Sequence, residues 1–102
     1  MKILTVISHA SAQQDLSDHL RSLPQVTGFT FTIVEGHGVQ SEKDPFLSAR
    51  DKVVGFMPRV RVDILLEDTD VDTVIDTLRK LDNSAISHSV YWVAAIDRGG
   101  HL

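Results

Sequence analysis

The chain of 102 residues contains no cysteine, and this absence excludes several kinds of site at once. Without thiols there is no disulfide framework, no cysteine nucleophile and no thiolate site for zinc or copper. No segment approaches the 18 or more apolar residues of a membrane-spanning helix. The short apolar run at residues 3–7 is typical of a strand rather than of a signal peptide. We therefore expect one small domain, cytoplasmic and not inserted in a membrane.

A large charge of either sign is also missing, because the formal net charge is -4. A mildly acidic chain is a poor candidate for non-specific binding to nucleic acids or to anionic membranes. The nucleophile motif Gly-x-Ser-x-Gly is absent, and the acidic residues fall mainly at predicted helix ends and on the surface. The sequence thus predicts a protein that binds a ligand or a partner rather than an enzyme, with no nucleic-acid partner.

The hydrophobic periodicity predicts a ferredoxin-like α+β domain with element order β-α-β-β-α-β. The predicted strands are residues 2–7, 29–34, 57–66 and 90–96, and the predicted helices are residues 12–22 and the stripe from 71 to 81. The two halves repeat one strand-helix-strand pattern. Two such right-handed units interleave into a four-stranded antiparallel sheet of order 4-1-3-2, with both helices on one face.

Local patterns predict how these elements begin and pack. Ser11 and Gln14 have the spacing of a capping box for the first helix, and Asp70 is placed to cap the second. Residues 83–89 are predicted to form a polar turn. The fourth strand has a nearly continuous apolar run, which is typical of a strand covered on both faces. The helix-free sheet face is expected to carry Phe, Thr, Val and Trp side chains, and a bare face of this kind favours oligomerisation.

A long connection separates the second and third predicted strands, at about residues 37–55. Loops of this length inside a compact domain tend to be functional or disordered. We expect residues 39–54 to be mobile in the free protein and to become ordered against a partner or ligand.

Two stretches that flank this loop carry a family resemblance. Residues 34–40 read Val-Glu-Gly-His-Gly-Val-Gln, and residues 56–62 read Phe-Met-Pro-Arg-Val-Arg-Val. With the loop length and the predicted topology, they resemble the P-II signalling proteins over nearly the whole chain. The stretches 36–38, 47–50 and 91–93 are more similar to a P-II-like branch that is often encoded beside heavy-metal efflux pumps.

The resemblance implies a homotrimeric regulatory protein of the nitrogen-regulation kind. It implies nucleotide sites between subunits and a loop, residues 37–55, that contacts a partner protein, with a membrane transporter as one candidate. The positions that match the family's ligand-binding residues, together with the histidine between the two glycines, are Gly36, His37, Gly38, Gln40, Arg59 and Arg98. The implied cofactor is an adenine nucleotide.

The sequence departs from the family at the glycine-rich turn that wraps the nucleotide. The family's Thr-Gly-x-Ile-Gly-Asp-Gly-Lys corresponds to residues 83–90, which read Asn-Ser-Ala-Ile-Ser-His-Ser-Val and contain neither glycine nor lysine. Val39 replaces a basic residue, and no tyrosine between residues 37 and 55 could accept a uridylyl group. We expect nucleotide binding to be weak or absent.

Three histidines suggest a different ligand. His9 follows the first predicted strand, His37 follows the second and His88 precedes the fourth, so the topology places all three at one end of the sheet. Imidazole is a good ligand for Zn, Cu, Ni and Co. The alternative function is therefore a metal-binding accessory protein of a heavy-metal efflux system, with a divalent metal ion at His9, His37 and His88.

Ferredoxin-like folds host unrelated functions, and three other classes of this fold fit the sequence poorly. An RNA-recognition module needs aromatic residues on its first and third strands, and these strands have none. A soft-metal chaperone needs a Cys-x-x-Cys loop. An acylphosphatase-like enzyme needs an Arg- and Gly-rich loop after the first strand, where residues 8–11 read Ser-His-Ala-Ser. A small-molecule regulatory domain stays open.

Overall fold

The structure, a computed structural model, describes residues 1–37 and 57–102. These residues form β1 (Lys2–His9), α1 (Gln13–Ser22), β2 (Phe29–Gly36), β3 (Met57–Leu66), α2 (Val71–Arg79), the short α3 (Ser84–Ser87) and β4 (Val90–Ala95). The strands make one sheet of order β2-β3-β1-β4 in which every neighbouring pair is antiparallel. The predicted fold class and strand order are confirmed.

The core lies between the sheet and the two longer helices. Strand β3 shows how alternation builds it, because Val60, Val62, Ile64 and Leu66 are buried and the residues between them are not. Leu16 and Leu20 of α1 and Val74 and Leu78 of α2 join the same cluster. Both helices therefore cover one face of the sheet, as their apolar stripes predict.

The helices do not begin as the capping patterns predicted. A 3-10 turn at Ala10–Ala12 precedes α1, and its cap is His9, whose Nδ1 accepts a hydrogen bond from the backbone N–H of Ser11. The capping box at Ser11 and Gln14 is wrong, because α1 starts after Ala12 without a side-chain cap. Asp70 precedes α2, but its side chain makes no cap hydrogen bond.

The predicted polar turn at residues 83–89 contains a helical turn. The side chain of Asn83 caps α3 by accepting from the backbone N–H of Ile86 at 3.1 Å. Ala85 and Ile86 are buried in the core cluster. The prediction of a simple turn was wrong because two apolar residues are too few for a helical period to be recognised.

Strand β4 is an edge strand, and all six of its residues are exposed. Burial on both faces was predicted from its apolar run, and within this chain that prediction is wrong. Val90, Tyr91, Trp92 and Val93 retain 40 to 58% of their accessible surface. A continuous apolar run indicates a surface that is favourable to cover, but the helices of this chain do not extend over it.

The helix-free face is more polar than predicted. Phe29 and Phe31 pair with Ile64 and Val62, and both rings pack against the core on the helix side. The prediction of Phe on the open face was therefore wrong, because one strand's alternation does not reveal which set faces the helices. In the part of the chain that the structure describes, no helix has the length and apolarity to cross a membrane.

Candidate functional site

One end of the sheet gathers the residues to which the sequence pointed. Strands β1 and β2 both run antiparallel to β3, so they end at the edge where β3 and β4 begin. We call this edge the loop end, because residues 38–56, which lie outside the described residues, connect β2 to β3 there. His9, Gly36, Arg59 and His88 all lie at or beside the loop end.

The side chain of Arg59 lies across the backbone of Gly36. A Cβ atom placed on Gly36 would be 2.6 Å from Cγ and 2.9 Å from Nε of Arg59, far inside van der Waals contact. Gly36 is an extended strand residue, so its role is to leave space rather than to adopt a positive φ. The missing side chain lets Arg59 extend over the last residue of β2 and holds its stem at the base of the loop.

The register gives Arg59 two further neighbours. It pairs with Val34 on β2 and with His9 on β1, on the two sides of β3. Residues that pair across antiparallel strands have Cβ atoms about 4.5–5.5 Å apart on the same face. Arg59 and His9 therefore share the helix-free face at the loop end, and the guanidinium brings a permanent positive charge to this edge.

In the segment that replaces the family's glycine-rich turn, the backbone N–H groups form hydrogen bonds within the segment itself. The N–H groups of Ile86 and Ser87 both donate to the carbonyl of Asn83, at 3.1 Å. Those of His88 and Ser89 donate to the carbonyls of Ser84 and Ile86. A loop cradles phosphate when its N–H groups point at the ligand. Here four consecutive N–H groups point back into the turn.

Of the other predicted ligand-binding residues, Arg98 is separated from Arg59. Gly38 and Gln40 lie outside the described residues. Arg98 follows β4 at the opposite end of the sheet, where the backbone N–H of Ile96 donates to the carbonyl of Met1. Six strand residues span about 20 Å, so one chain does not bring Arg98 to the loop end.

The three histidines share the loop end, but each has a local contact. Nδ1 of His9 accepts from Ser11, Nδ1 of His88 lies 2.7 Å from the carbonyl oxygen of Ser84, and Nε2 of His37 lies 3.5 Å from a carboxylate oxygen of Glu35. Across residues 1–37 and 57–102, no group of three or more His, Cys, Asp or Glu is arranged to hold a metal ion. The structure brings the three histidines to one end of the sheet, and the metal site at these residues stays a prediction.

A charged network that the sequence analysis missed occupies the centre of the helix-free face. Asp63 accepts a hydrogen bond from the buried hydroxyl of Thr5 at 2.7 Å and another from Nε of Arg61 at 3.0 Å. The Arg61 guanidinium stands over the ring of Trp92, 5.7 Å from the ring centroid. Partial burial acts to raise the pKa of Asp63, but the bonds from Arg61 and Thr5 and the arginine's charge hold that pKa below its usual value.

Comparison with known proteins identifies the family of this chain and agrees with the fold described above. A protein-family model described as "Protein of unknown function (DUF3240)" matches residues 1–102. The chain belongs to the DUF3240 family. A crystal structure of a DUF3240 family protein from Shewanella baltica OS155 superposes with a TM-score of 0.74 at 17% identity, covering 99% of this chain and 94% of that one. At this identity the likeness shows a shared fold.

Similarity in sequence extends to the nitrogen regulatory proteins. The chain is 32% identical to the nitrogen regulatory protein GlnK of Escherichia coli K12 over 80 residues, which are 78% of this chain and 70% of the relative. It is 36% identical to nitrogen regulatory protein P-II 1 of the same strain over 53 residues, 52% of this chain and 47% of the relative. The predicted kinship with P-II proteins is confirmed, and these relatives are named as regulators rather than enzymes.

Proposed function

We propose that this chain is a trimeric P-II-like regulatory protein that senses a small anionic ligand at the loop end of the sheet. It contacts a partner protein through residues 37–55, with a membrane transporter as one candidate. The observation that carries the proposal is the position of Arg59 across Gly36. These two residues occupy family positions that contact ligand, and their packing fixes a cation where the loop leaves the sheet.

Arginine suits this role because its guanidinium stays charged and can bind a carboxylate or a phosphate through two parallel hydrogen bonds. Its stem packs across the backbone of Gly36, so less side-chain freedom is lost when an anion binds. An anion at this point also lies beside both ends of the loop. Ligand binding can then change the loop's contacts with a partner without any change in the core.

Nucleotide binding is proposed to be weak or absent. The four backbone donors at residues 86–89 are committed to α3, and a phosphate could recruit them only by unwinding that turn. Unwinding would also expose Ala85 and Ile86, which are buried. The sensed ligand is therefore smaller than an adenine nucleotide or is held without the help of this turn.

The trimer is proposed from the helix-free face and from Arg98. Trp92 and Val90 are exposed on that face, and burial of such side chains favours association. Arg98 lies at the far end of its own sheet, so it can join Arg59 at one ligand only if the two come from different chains. Light scattering at micromolar concentration should give about three chain masses, and a monomer would contradict this part of the proposal.

The ligand site is tested by thermal-shift measurements with inorganic phosphate, citrate, ADP and ATP. We expect at least one of the smaller anions to raise the melting temperature of the wild-type protein and not of Arg59→Ala. Arg21→Ala is the matched control, because Arg21 is exposed on α1 and far from the loop end. If Arg59→Ala and Arg21→Ala respond alike to every anion, Arg59 does not bind the ligand.

The alternative function, a metal-binding accessory protein of an efflux system, rests on one structural observation. The hydroxyl groups of Ser8 and Ser89 are in hydrogen-bond contact, which brings the neighbouring residues His9 and His88 to the same edge of the sheet. Two imidazoles that lie close together can share one divalent ion. Calorimetry with Zn²⁺ should then give heat that disappears in His9→Ala and in His88→Ala. Equal heat in the wild type and both variants would exclude the site.

A further inference from the structure

A cavity lies on the opposite side of the sheet from Arg59. It has a volume of about 210 Å³ and opens between α2, α3 and the edge strand β4. Buried apolar residues from three elements line it, among them Leu4, Leu78 and Ile86. The cavity exists because β4 is an edge strand and the helices do not extend over its side chains.

A cation and a phenol meet at the rim of this cavity. Nη2 of Arg79 donates a hydrogen bond to the hydroxyl oxygen of Tyr91 at 3.0 Å, and the guanidinium carbon lies 5.6 Å from the centre of the tyrosine ring. The phenol oxygen accepts this bond, so its own O–H proton points away from the arginine and can be donated. The rim therefore offers a charged donor and a neutral donor side by side.

The charge of the cavity lining favours an anion over a cation, although its serine hydroxyls already donate to backbone carbonyls. The hydroxyl of Ser87 donates to the carbonyl of Ser84, and the hydroxyl of Ser89 donates to the carbonyl of Ala85. Among the residues that the structure describes, none that lines the cavity carries a carboxylate. Asp76 lies 3.8 Å from Nη1 of Arg79, but this pair is an exposed contact on one helix and contributes little. The lining residues that the structure describes therefore carry one positive charge, that of Arg79.

We propose that this cavity binds a small apolar monocarboxylate, with the carboxylate at Arg79 and Tyr91 and the apolar body among the buried side chains. A cavity of about 150 Å³ holds a benzene-sized molecule, so this one takes a body of about eight to ten non-hydrogen atoms. The ligand's carboxylate can accept hydrogen bonds from both donors at the rim. Burial of the ligand's apolar part among the apolar lining residues stabilises the complex. A nucleotide or a sugar phosphate is too large and too polar.

This site is independent of the proposed sensing site. Arg59 belongs to the helix-free face at the loop end, whereas Arg79 and Tyr91 border the helix side. The two sites are nevertheless connected by α3, which lines the cavity and is followed by His88 beside the loop end. Failure of one site in the laboratory leaves the other untouched.

The test is a titration of the ¹⁵N- and methyl-labelled protein with octanoate, followed by NMR. We expect saturable shifts at the methyl groups of Leu4, Leu78 and Ile86, with a dissociation constant between about 0.01 and 1 mM. Arg79→Gln should weaken binding by about ten-fold or more, and Tyr91→Phe by about three-fold or more. Lys80→Gln is the matched control, because it removes one charge from the next residue outside the cavity and should not weaken binding.

Three outcomes would overturn the proposal. The first is the absence of methyl shifts up to about 10 mM octanoate, ten times the weakest expected constant. The second is equal weakening by Arg79→Gln and Lys80→Gln, which would indicate general charge attraction. The third is equal binding of octan-1-ol and octanoate, which would show an apolar hole that does not recognise a carboxylate. Folding of each variant is checked from its own amide spectrum before the titration.

Discussion

The two faces of the four-stranded sheet carry different kinds of side chain. The helix side is a layer of aliphatic side chains that are excluded from water, as at Val62 and Leu4. The other side has a charged network at its centre, where Asp63 joins Thr5 and Arg61, and a tryptophan beside it. One face stabilises the fold through burial, and the other presents directional groups to a ligand or to a second chain.

The comparison shows that an apolar side chain can be exposed to solvent and still be held in one position by its neighbours. Trp92 is exposed in the single chain, yet the guanidinium of Arg61 stands over its ring and Asp63 positions that guanidinium. Such a face is pre-organised, because its side chains are already held before any partner arrives. A face of loose apolar residues would bind partners with less specificity.

The largest expected effect comes from the same substitution on each face. Val62→Ala removes a fully buried side chain on the helix side and should lower the free energy of unfolding by about 2–3 kcal/mol, as lost burial plus a cavity. Val90→Ala, on the face where Val90 retains 58% of its surface, should cost less than about 1 kcal/mol in dilute protein. Urea denaturation at two protein concentrations measures both.

The concentration series separates burial within the chain from burial between chains. If a second copy covers the open face, the cost of Val90→Ala should grow with protein concentration, because association stabilises the wild type by mass action. The cost of Val62→Ala should not change. A Val62→Ala cost below about 1 kcal/mol would contradict the assignment of this valine to a rigid core.

The next effect tests the charged network. Thr5→Val keeps the shape of a buried side chain and removes its hydrogen bond to Asp63, so the free energy of unfolding should fall by about 1–2 kcal/mol at neutral pH. Thr30→Val is the control, because Thr30 pairs with Asp63 from β2 but is exposed. Equal losses for the two variants would mean that the hydroxyl bond to Asp63 contributes nothing special.

The same variant has a signature in acid. The pKa of Asp63 is lower in the folded protein than in the unfolded chain. Its contribution to stability is therefore present above the unfolded pKa, near 3.9, and is lost as the pH falls through the folded pKa. Thr5→Val removes one of the causes, so its Asp63 carboxyl should titrate at higher pH in NMR, and its stability should depend less on pH below about 4.

Sequence patterns were enough for the fold because each strand and helix has a clear period. Alternation in β3 and the stripes of α1 and α2 define which residues are buried without reference to their partners. The patterns failed where the local signal was weak or where partners decide. The cap from His9 is a local contact of a residue that is not a usual helix cap, the turn around Ile86 is too short to show a period, and the side of Phe31 depends on register.

The candidate site was predictable only through resemblance. The motif around Gly36 and the position of Arg59 matched a family, but the close contact between them appears only once β2 and β3 are paired. The network at Asp63 left a faint signal, since Arg61 and Asp63 alternate on one side of the predicted third strand. Its third member, Thr5, is 58 residues away in sequence, and no local pattern connects them.

A smaller effect on the free energy of unfolding is expected from alanine substitutions at Gly28, which precedes β2, and at Gly36, which ends it. Gly36→Ala forces the stem of Arg59 to move and should cost about 1 kcal/mol or less, because a flexible side chain can relocate. In Gly28→Ala the new Cβ has no described atom within 4 Å, so the substitution should be neutral or slightly stabilising. The two variants should also differ in anion binding, because Gly36→Ala, like Arg59→Ala, should lose the rise in melting temperature that the anion causes. An intact response in Gly36→Ala would show that the position of Arg59 across this glycine is not needed.

The smallest expected effect concerns a polar contact within the helix layer. Nε2 of His19 on α1 lies 3.0 Å from Oγ1 of Thr77 on α2, and that hydroxyl donates its proton to the carbonyl of Val74. Oγ1 must therefore accept from His19, so Nε2 carries a proton. Partial burial lowers the pKa of His19 below its ordinary value.

The sign of the resulting pH dependence follows from this lowered pKa. The unfolded chain, with a histidine pKa near 6.5, binds the proton more readily than the folded protein does. Stability from this residue is therefore complete above about pH 7 and falls as the pH drops through 6.5 towards the folded pKa. His19→Gln keeps a donor for Thr77 but cannot titrate, so its free energy of unfolding should change less between about pH 7.5 and 5.5 than that of the wild type. A change that is equal in the two proteins, measured by urea denaturation, would show that the contact between the helices does not respond to protonation.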